Sequence, residues 1–555
     1  MFKRLPSIMW IAIAFVILLL GNVSSARAQP VTWFVSEHVD GGNGSGVDWD
    51  NASPTLTGVL NNVNLEPGDI ILVGQGTYKP VNASPWDQDI SFFIDANLNG
   101  IQILGGFAGW DPVTGELAAD PDANNPYVFL TILTGDLDDD DSDFTADPDN
   151  WFDSTRDDNS FTVIRFRDVS AVGPPTRLDG FIIEGARSKG ALDDDPHIGG
   201  SGDPEFVGTR GGGIHIFNSN VVITRCTIRF NSAGDPNDSP SYAGVSGLGG
   251  GAAAMGATSG TGRAGFTRFI NCIFHDNVAS TGGAVAVLER LDDQNDDPTQ
   301  VELVNCLLHD NRALANADLE PAPIEGGAGG IFITTEANVK VVNCTLSQNT
   351  YEQFGGGGML IFQVDDGFET TVLNSIFWDN DSSEIVHDDE VSFPSTLSVS
   401  HSTIEGGLTG STNVTVEEIL DDDPQFLSPG SNDFRLPDDS PAINQGDLNS
   451  FTSQSATSLI PFDEFDLDDD SLTDTEPTPD LALANRIQVS PDHGVYELRC
   501  AEDISPADEG DIGDGAVNVT DLLARWRRGG MSARRLCPRR SRRPAWRSMT
   551  ASTGP

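Results

Sequence analysis

The sequence predicts an all-β solenoid of short parallel strands stacked coil upon coil, a parallel β-helix. Three observations carry this expectation. One phrase recurs between Gly211 and Asn380: a glycine cluster, a short apolar run, then Asn-Cys and an apolar pair closing on Asn. Its copies begin roughly 30 to 46 residues apart, a period that marks repeat architectures. Within each copy apolar residues alternate, as in Ile214 and Ile216, Val285 and Val287, or Ile331 and Ile333, which suits strands with one buried face. Glycine (59) and proline (32) are frequent in the 555 residues and only 38% are hydrophobic, so many short strands are expected in place of long helices.

The chain opens on a targeting segment. Lys3 and Arg4 precede an apolar run from Trp10 to Leu20, and Ala26-Arg27-Ala28 fits a small-x-small cleavage site, so residues 1–28 read as a signal peptide. The run is too short to span a bilayer, and export is expected. Residues 29–130 form an N-terminal cap and first coils. Val31–Val35 starts a strand, Trp49 to Val63 reads as a short amphipathic helix, and Pro67–Val73 turns into a buried strand. A cap is needed because the first coil of a solenoid otherwise exposes an apolar end. Residues 131–410 hold the repeats, with the regular coils beginning near Phe161. Acidic stretches such as Asp138–Asp143, Asp193–Asp195 and Leu291–Asp297 are loops between coils.

Within the repeat, the glycine clusters supply tight bends, some at positive φ. The closing asparagines 231, 277, 311, 349 and 380 occupy a second bend, where Asn tolerates the left-handed region, and their amides can bond one another from coil to coil. Cys226, Cys272, Cys306 and Cys344 share one phase, continued by Ser375 and Ser402. They are expected as a row of buried thiols; a bridge between neighbouring coils and a metal site are the alternatives. His275-Asp276 and His309-Asp310 also share a phase, with Trp378-Asp379 later. These residues form a candidate lateral row about 5 Å apart. It could contact a cation or a sugar, with Trp378 as a stacking surface, or simply decorate a turn.

These phrases carry a resemblance. The Gly-Gly-[Ala/Gly]-Ile/Val and Phe/Leu-x-x-Asn patterns over roughly Leu178 to Gly407 resemble the repeats of polymorphic outer membrane proteins. More broadly they resemble the right-handed β-helix, pectin-lyase-like superfamily. Gly68–Tyr78 and Gly105–Gly109 look like the start of exported bacterial proteins of this kind. Asp423–Phe426, Asn432–Leu436, Ser440–Gly446 and Gly494–Glu497 look like their closing region, here 411–500. The translocating barrel that ends polymorphic outer membrane proteins is not seen in the sequence. Residues 501–526 resemble one half of a dockerin. Asp514, Asn518 and Asp521 would then be calcium ligands, although Gly510 and Ile512 stand where two further ligands are expected. A second half does not follow. Residues 527–555 continue a tail that from Arg525 holds ten arginines and no acidic residue, read as a basic tail or a reading-frame error.

The charge balance, 84 acidic against 31 basic residues and −53 net, disfavours nucleic acid and anionic membranes and suits divalent cations. Catalytic signatures are sparse. HExxH, GxSxG and a phosphate loop are absent, and Arg486-Ile-Gln488 only approaches a polygalacturonase signature. The expectation is therefore a non-catalytic, exported, surface-associated protein acting in adhesion or polysaccharide or partner binding, with a dockerin-type attachment partner. The alternative that the resemblance implies is a lyase or glycoside hydrolase acting on acidic polysaccharide. Calcium is the one cofactor expected.

Overall fold

A computed structural model describes residues 29–447 and Gly494. It excludes 62–64, 81–87, 142–153, 170–173, 189–210, 235–246, 257–264, 289–297, 315–326, 335–336, 352–355, 363–367, 388–394, 411–412 and 438. The segments expected as a signal peptide, a dockerin-like half and a basic tail lie outside the described residues. So do the acidic inserts at 193–195 and 291–297.

The described chain is a right-handed parallel β-helix. Its strands form a 19-stranded sheet that contributes two strands per coil, an 8-stranded sheet and a 5-stranded sheet of two-residue strands. One coil shows the pattern. Ile214–Phe217 lies in the 8-stranded sheet, Val221–Thr224 and Thr227–Arg229 in the 19-stranded sheet, and Ser232–Ala233 in the smallest. The next coil repeats it in parallel register, with Ile223 beside Phe269, Ile228 beside Phe274 and Ile216 beside Ala254. Inward side chains from all coils merge into one apolar core.

The register begins earlier than the sequence suggests. Thr32–Val35 already pairs with Ile70–Gly74, which pairs with Gln102–Phe107. The amphipathic helix expected at 49–63 is two short pieces. Trp49–Asn51 is a single 3-10 turn, and Leu56–Leu60 is an α-helix capped by the Thr55 hydroxyl. Pro54 separates them because its ring cannot continue a helix. Leu56, Val59 and Leu60 are buried as the cap requires.

The bends invert one expectation. The closing asparagines are not the left-handed residues. That conformation falls on the preceding position, Phe230, Asp276, Asp310, Gln348 and Asp379, at φ 52 to 60°. It also falls on Asn271, Asn305, Asn343 and Asn374, at φ 51 to 54°, where the chain turns between the two strands that each coil gives to the 19-stranded sheet. The closing asparagines instead point inward and bond along the axis. Asn231 Nδ2 donates to Asn277 Oδ1 at 3.1 Å, and the series continues through Asn311 and Asn349 to Asn380 at 3.0, 2.9 and 2.8 Å. Each Oδ1 also accepts the backbone N–H of the asparagine one coil before. Glu384 ends the ladder, accepting from the backbone N–H and the side chain of Asn380.

The glycines divide into two kinds. Gly211, Gly249 and Gly282 have positive φ and turn the chain. Gly213 and Gly251 do not; a Cβ there would stand 2.6 Å from the carbonyl oxygen of the next coil, so close stacking alone demands glycine.

The thiol row is present as free, buried cysteines. Cys306 Sγ donates to Val304 O at 3.4 Å and Phe269 O at 3.3 Å. Cys344 Sγ accepts from the Cys306 N–H, and Ser375 Oγ accepts from the Cys344 N–H at 3.1 Å. The position thus wants a small side chain that both donates and accepts, and serine meets that need as well as cysteine.

Two outcomes test this framework. Asn311→Ala removes the amide that serves both neighbouring coils and leaves several buried groups unpaired, so unfolding free energy should fall by about 3–5 kcal/mol. Denaturant titration measures it, and a loss within error of an exposed substitution would sink the ladder's role. Burial, aided by the neighbouring Glu405 carboxylate, pushes Glu384 up to about 8 from its ordinary 4.5. The fold therefore favours the neutral carboxyl. Glu384's contribution is complete below the unfolded value and is lost as pH rises through 8, by about 1.4 kcal/mol per pH unit in between. Melting temperature should fall over that window, and Glu384→Gln should flatten the fall.

Candidate functional site

The lateral row expected from the sequence exists in register. Arg229, His275, His309, Ser347 and Trp378 occupy equivalent positions on successive coils of the 19-stranded sheet. The His275 and His309 rings stack with centroids 5.1 Å apart and planes 5° apart. In each case Nδ1 lies 2.7 Å from the carboxylate of the next residue, Asp276 or Asp310. Both aspartates are left-handed bend residues, which lets a neighbour in sequence reach back to the ring. Burial lowers the His275 pKa, with His309 adding to the effect and Asp276 opposing it. Burial and the facing ring thus both disfavour a charge on His275.

Trp378 is not beside the histidines; Ser347 stands between. The closing region covers this part of the row. The Phe434 ring lies 5.0 Å from His309, whose side chain is only 3% exposed. Phe434 also packs on Leu307, while Leu436 and Ala442 pack on Ile376 with Trp378 and Phe426 alongside. Asp447 and Gly494 donate backbone N–H bonds to Asn374. Residues 424–447 thus run back along the outer face of the coils. Trp378 serves as a packing surface for this strap, and the accessible remainder is Arg229, paired with Glu184 at 2.7 Å, and the edge of His275 with the Asp276 and Asp310 carboxylates.

Two charged groups outside the row complete the picture. Asp179 is buried between Arg177 (2.9 Å) and Arg225 (2.6 Å). Burial alone would raise its pKa, but the two guanidiniums outweigh that and hold it below the usual carboxylate range. This cluster joins neighbouring coils and is satisfied internally. The second group follows the strand Thr131–Thr134. Asp136, Asp138 and Asp140 bring one carboxylate oxygen each within 4.8 Å of one another. By sequence this stretch is an acidic loop, and the alternating Asp-x-Asp-x-Asp spacing is the signal that could mark the convergence. The nearby basic groups are held in contacts of their own, two of them on this acidic stretch, at Asp139 and Asp141. Arg156 is 2% exposed and donates to Ala186 O and Phe230 O, Arg187 pairs with Asp157, and Lys79 with Asp139. The proposed ligands Asp514, Asn518 and Asp521 lie outside the described residues.

A family model described as "Right handed beta helix region" matches residues 202–418. Among solved structures, a pectin methylesterase from carrot aligns at 10% identity and a TM-score of 0.34, covering 71% of this chain and 90% of that one. Pectin methylesterase PemA from Erwinia chrysanthemi aligns at 8% identity and 0.24, covering 71% and 82%. At these scores neither alignment bears on activity. No curated protein matches the chain by sequence. The class defined by the fold is the right-handed parallel β-helix.

Phe434→Ala tests the strap. Emptying that pocket should cost about 3–5 kcal/mol if the segment unfolds with the coils, and should speed hydrogen exchange at Leu307 and His309. Unchanged exchange there would show that the strap does not shield the row.

Proposed function

We propose that this chain is an exported, surface-associated β-helix protein that binds a polysaccharide or another cell-surface partner without catalysing a reaction. One observation carries the reading: the basic side chains that a lyase would need beside its carboxylates are committed to structural contacts among the described residues. Arg156 and Arg187 are buried in such contacts beside the Asp136 loop, and Arg177 and Arg225 are buried around Asp179. Arg268 and Lys340 both pair with Glu302 on the outer face. No helix among the described residues is long and apolar enough to cross a membrane. In this reading the dockerin-like segment or the bound partner supplies attachment.

The part of the lateral row left accessible offers carboxylates, one imidazole edge and the Arg229 guanidinium, which Glu184 holds. Such a surface hydrogen-bonds sugar hydroxyls, and it repels uronates unless a divalent cation bridges them. A glycan array run with and without calcium, beside a uronate-release assay on polygalacturonate, separates the two classes. The expected result is glycan binding that falls at least about tenfold in Asp276→Ala/Asp310→Ala, given hydrogen bonds to charged groups of about 1.5–3 kcal/mol each, with no uronate released. Product formation by the purified full chain would overturn the binding reading in favour of a polysaccharide lyase or hydrolase.

A further inference from the structure

We propose that the closing strap at 424–447 is a displaceable cover that regulates the lateral row, a role that rests on the glycan binding put forward above. The strap holds its own shape. Leu427 N–H donates to Arg435 O at 3.0 Å, and Ser428 and Asp433 exchange backbone bonds at 3.0 and 3.1 Å. The Asp433 carboxylate takes Arg435 Nε and Nη2 at 2.7 Å each. Phe426 meets Phe434 edge-on, with centroids 5.4 Å apart. Its contacts with the coils are apolar: Phe434 on Leu307 and His309, Leu436 and Ala442 on Ile376. Apolar contact is non-directional, so this preformed piece can lift as a unit. Lifting exposes Leu307, His309, Ile376 and Trp378, a strip over two coil steps, about 10 Å.

Docking the strap also breaks a bond inside the coils. Asn305, Asn343 and Asn374 hold equivalent places on successive coils. Asn343 Nδ2 donates to Asn305 Oδ1 at 3.3 Å, a link of a second axial row. The next link is missing: Asn343 Oδ1 and Asn374 Nδ2 are both buried without a hydrogen-bond partner. The Asn374 carboxamide is turned to the strap, and its Oδ1 accepts the Asp447 N–H at 2.9 Å. Stranding two polar groups in the interior is costly. Release of Asp447 frees the Asn374 amide to donate to Asn343 Oδ1. Undocking thus regains a buried hydrogen bond as it loses the apolar contacts, and one amide has two alternative partners, as a two-state switch requires. The uncovered strip offers an imidazole, an indole and two aliphatic side chains, with the exposed Asp310 and Asp379 carboxylates alongside. A neutral glycan with an apolar ring face and free hydroxyls fits that chemistry, whereas a uronate is repelled. Strap and glycan compete for the strip, so the apparent affinity is reduced by the fraction of chains with the strap undocked.

Hydrogen exchange at the Asp447 amide reads undocking directly. In the full parent chain it should exchange at least about tenfold faster than a core strand amide such as that of Ile223, because the strap opens without the coils. Asp447→Pro removes the N–H given to Asn374 and leaves the apolar contacts in place. Calorimetry with cellohexaose, xylohexaose and mannohexaose as probes should show at least one bound about tenfold or more tightly by Asp447→Pro than by the parent. Phe434→Ala/Leu436→Ala is the second variant; it should show the same gain and faster exchange at Asp447. Adding Trp378→Ala to Asp447→Pro should abolish the gain. Exchange at Asp447 no faster than at Ile223, or equal binding by the parent and both variants, overturns the switch and leaves the binding function standing. If neither the parent nor the variants bind any of the three glycans, glycan binding and the switch fall together.

Discussion

A parallel solenoid must hold every coil at one height above the last, and here the asparagine ladder sets that height. Each amide of the ladder links its own bend to the coils on either side. Its nitrogen donates to the next amide and to a carbonyl one coil back, as Asn311 does to Asn349 Oδ1 and Phe274 O. Its oxygen receives the backbone and side chain of the coil before, as from Asn277. The row is buried, so an amide that slipped by one position would strand donors and acceptors away from water. That cost fixes the register of the strands that flank it. The ladder closes at Glu384, whose neutral form suits a buried end better than a carboxylate does.

The rest of the coil follows from that spacing. Coils this close leave no room for a Cβ at Gly213 or Gly251. The same closeness lets Cys344 Sγ take a backbone N–H from one coil and return its proton toward carbonyls. Glycine, asparagine and cysteine in the repeated phrase are therefore three consequences of one axial distance. The inward strand residues, Ile214, Val285 and Ile331 among them, then fill the space that the ladder encloses.

This is why the fold was legible in the sequence and much of the surface was not. A contact between equivalent positions of successive coils repeats, and the repetition is visible: Cys226 to Cys344 and Asn231 to Asn380 announce their rows. The stacking of His275 on His309 was readable for the same reason. What repetition cannot reveal is which bend residue is left-handed. Asn271 and Asn277 are the same residue type, and only the backbone path separates the turning one from the bonding one. Nor does repetition reveal a contact made once. Phe434 meets His309 across more than a hundred residues, and no pattern in Asn432-Asp-Phe434 marks its partner. The Asp136 loop is hidden differently, because in so acidic a chain a convergent trio looks like any other acidic run.

The strap changes where function can reside. A stacked pair of imidazoles with an indole two coils further on would be an apolar sugar surface while exposed, but Phe434 and Leu436 spend that area on holding the closing region. Covering also protects the later coils, whose outer residues Leu307 and Ile376 would otherwise face water. What remains outward is carboxylate-rich, and so is the molecule as a whole at −53. Such a surface draws in cations and holds off polyanions, so any acidic glycan would reach it through a bridging metal. Neutral hydroxyl-rich glycans face no such barrier. The electrostatics thus separate ligands by charge before any individual contact is made, and the rigid stack of coils presents that selection along its flank.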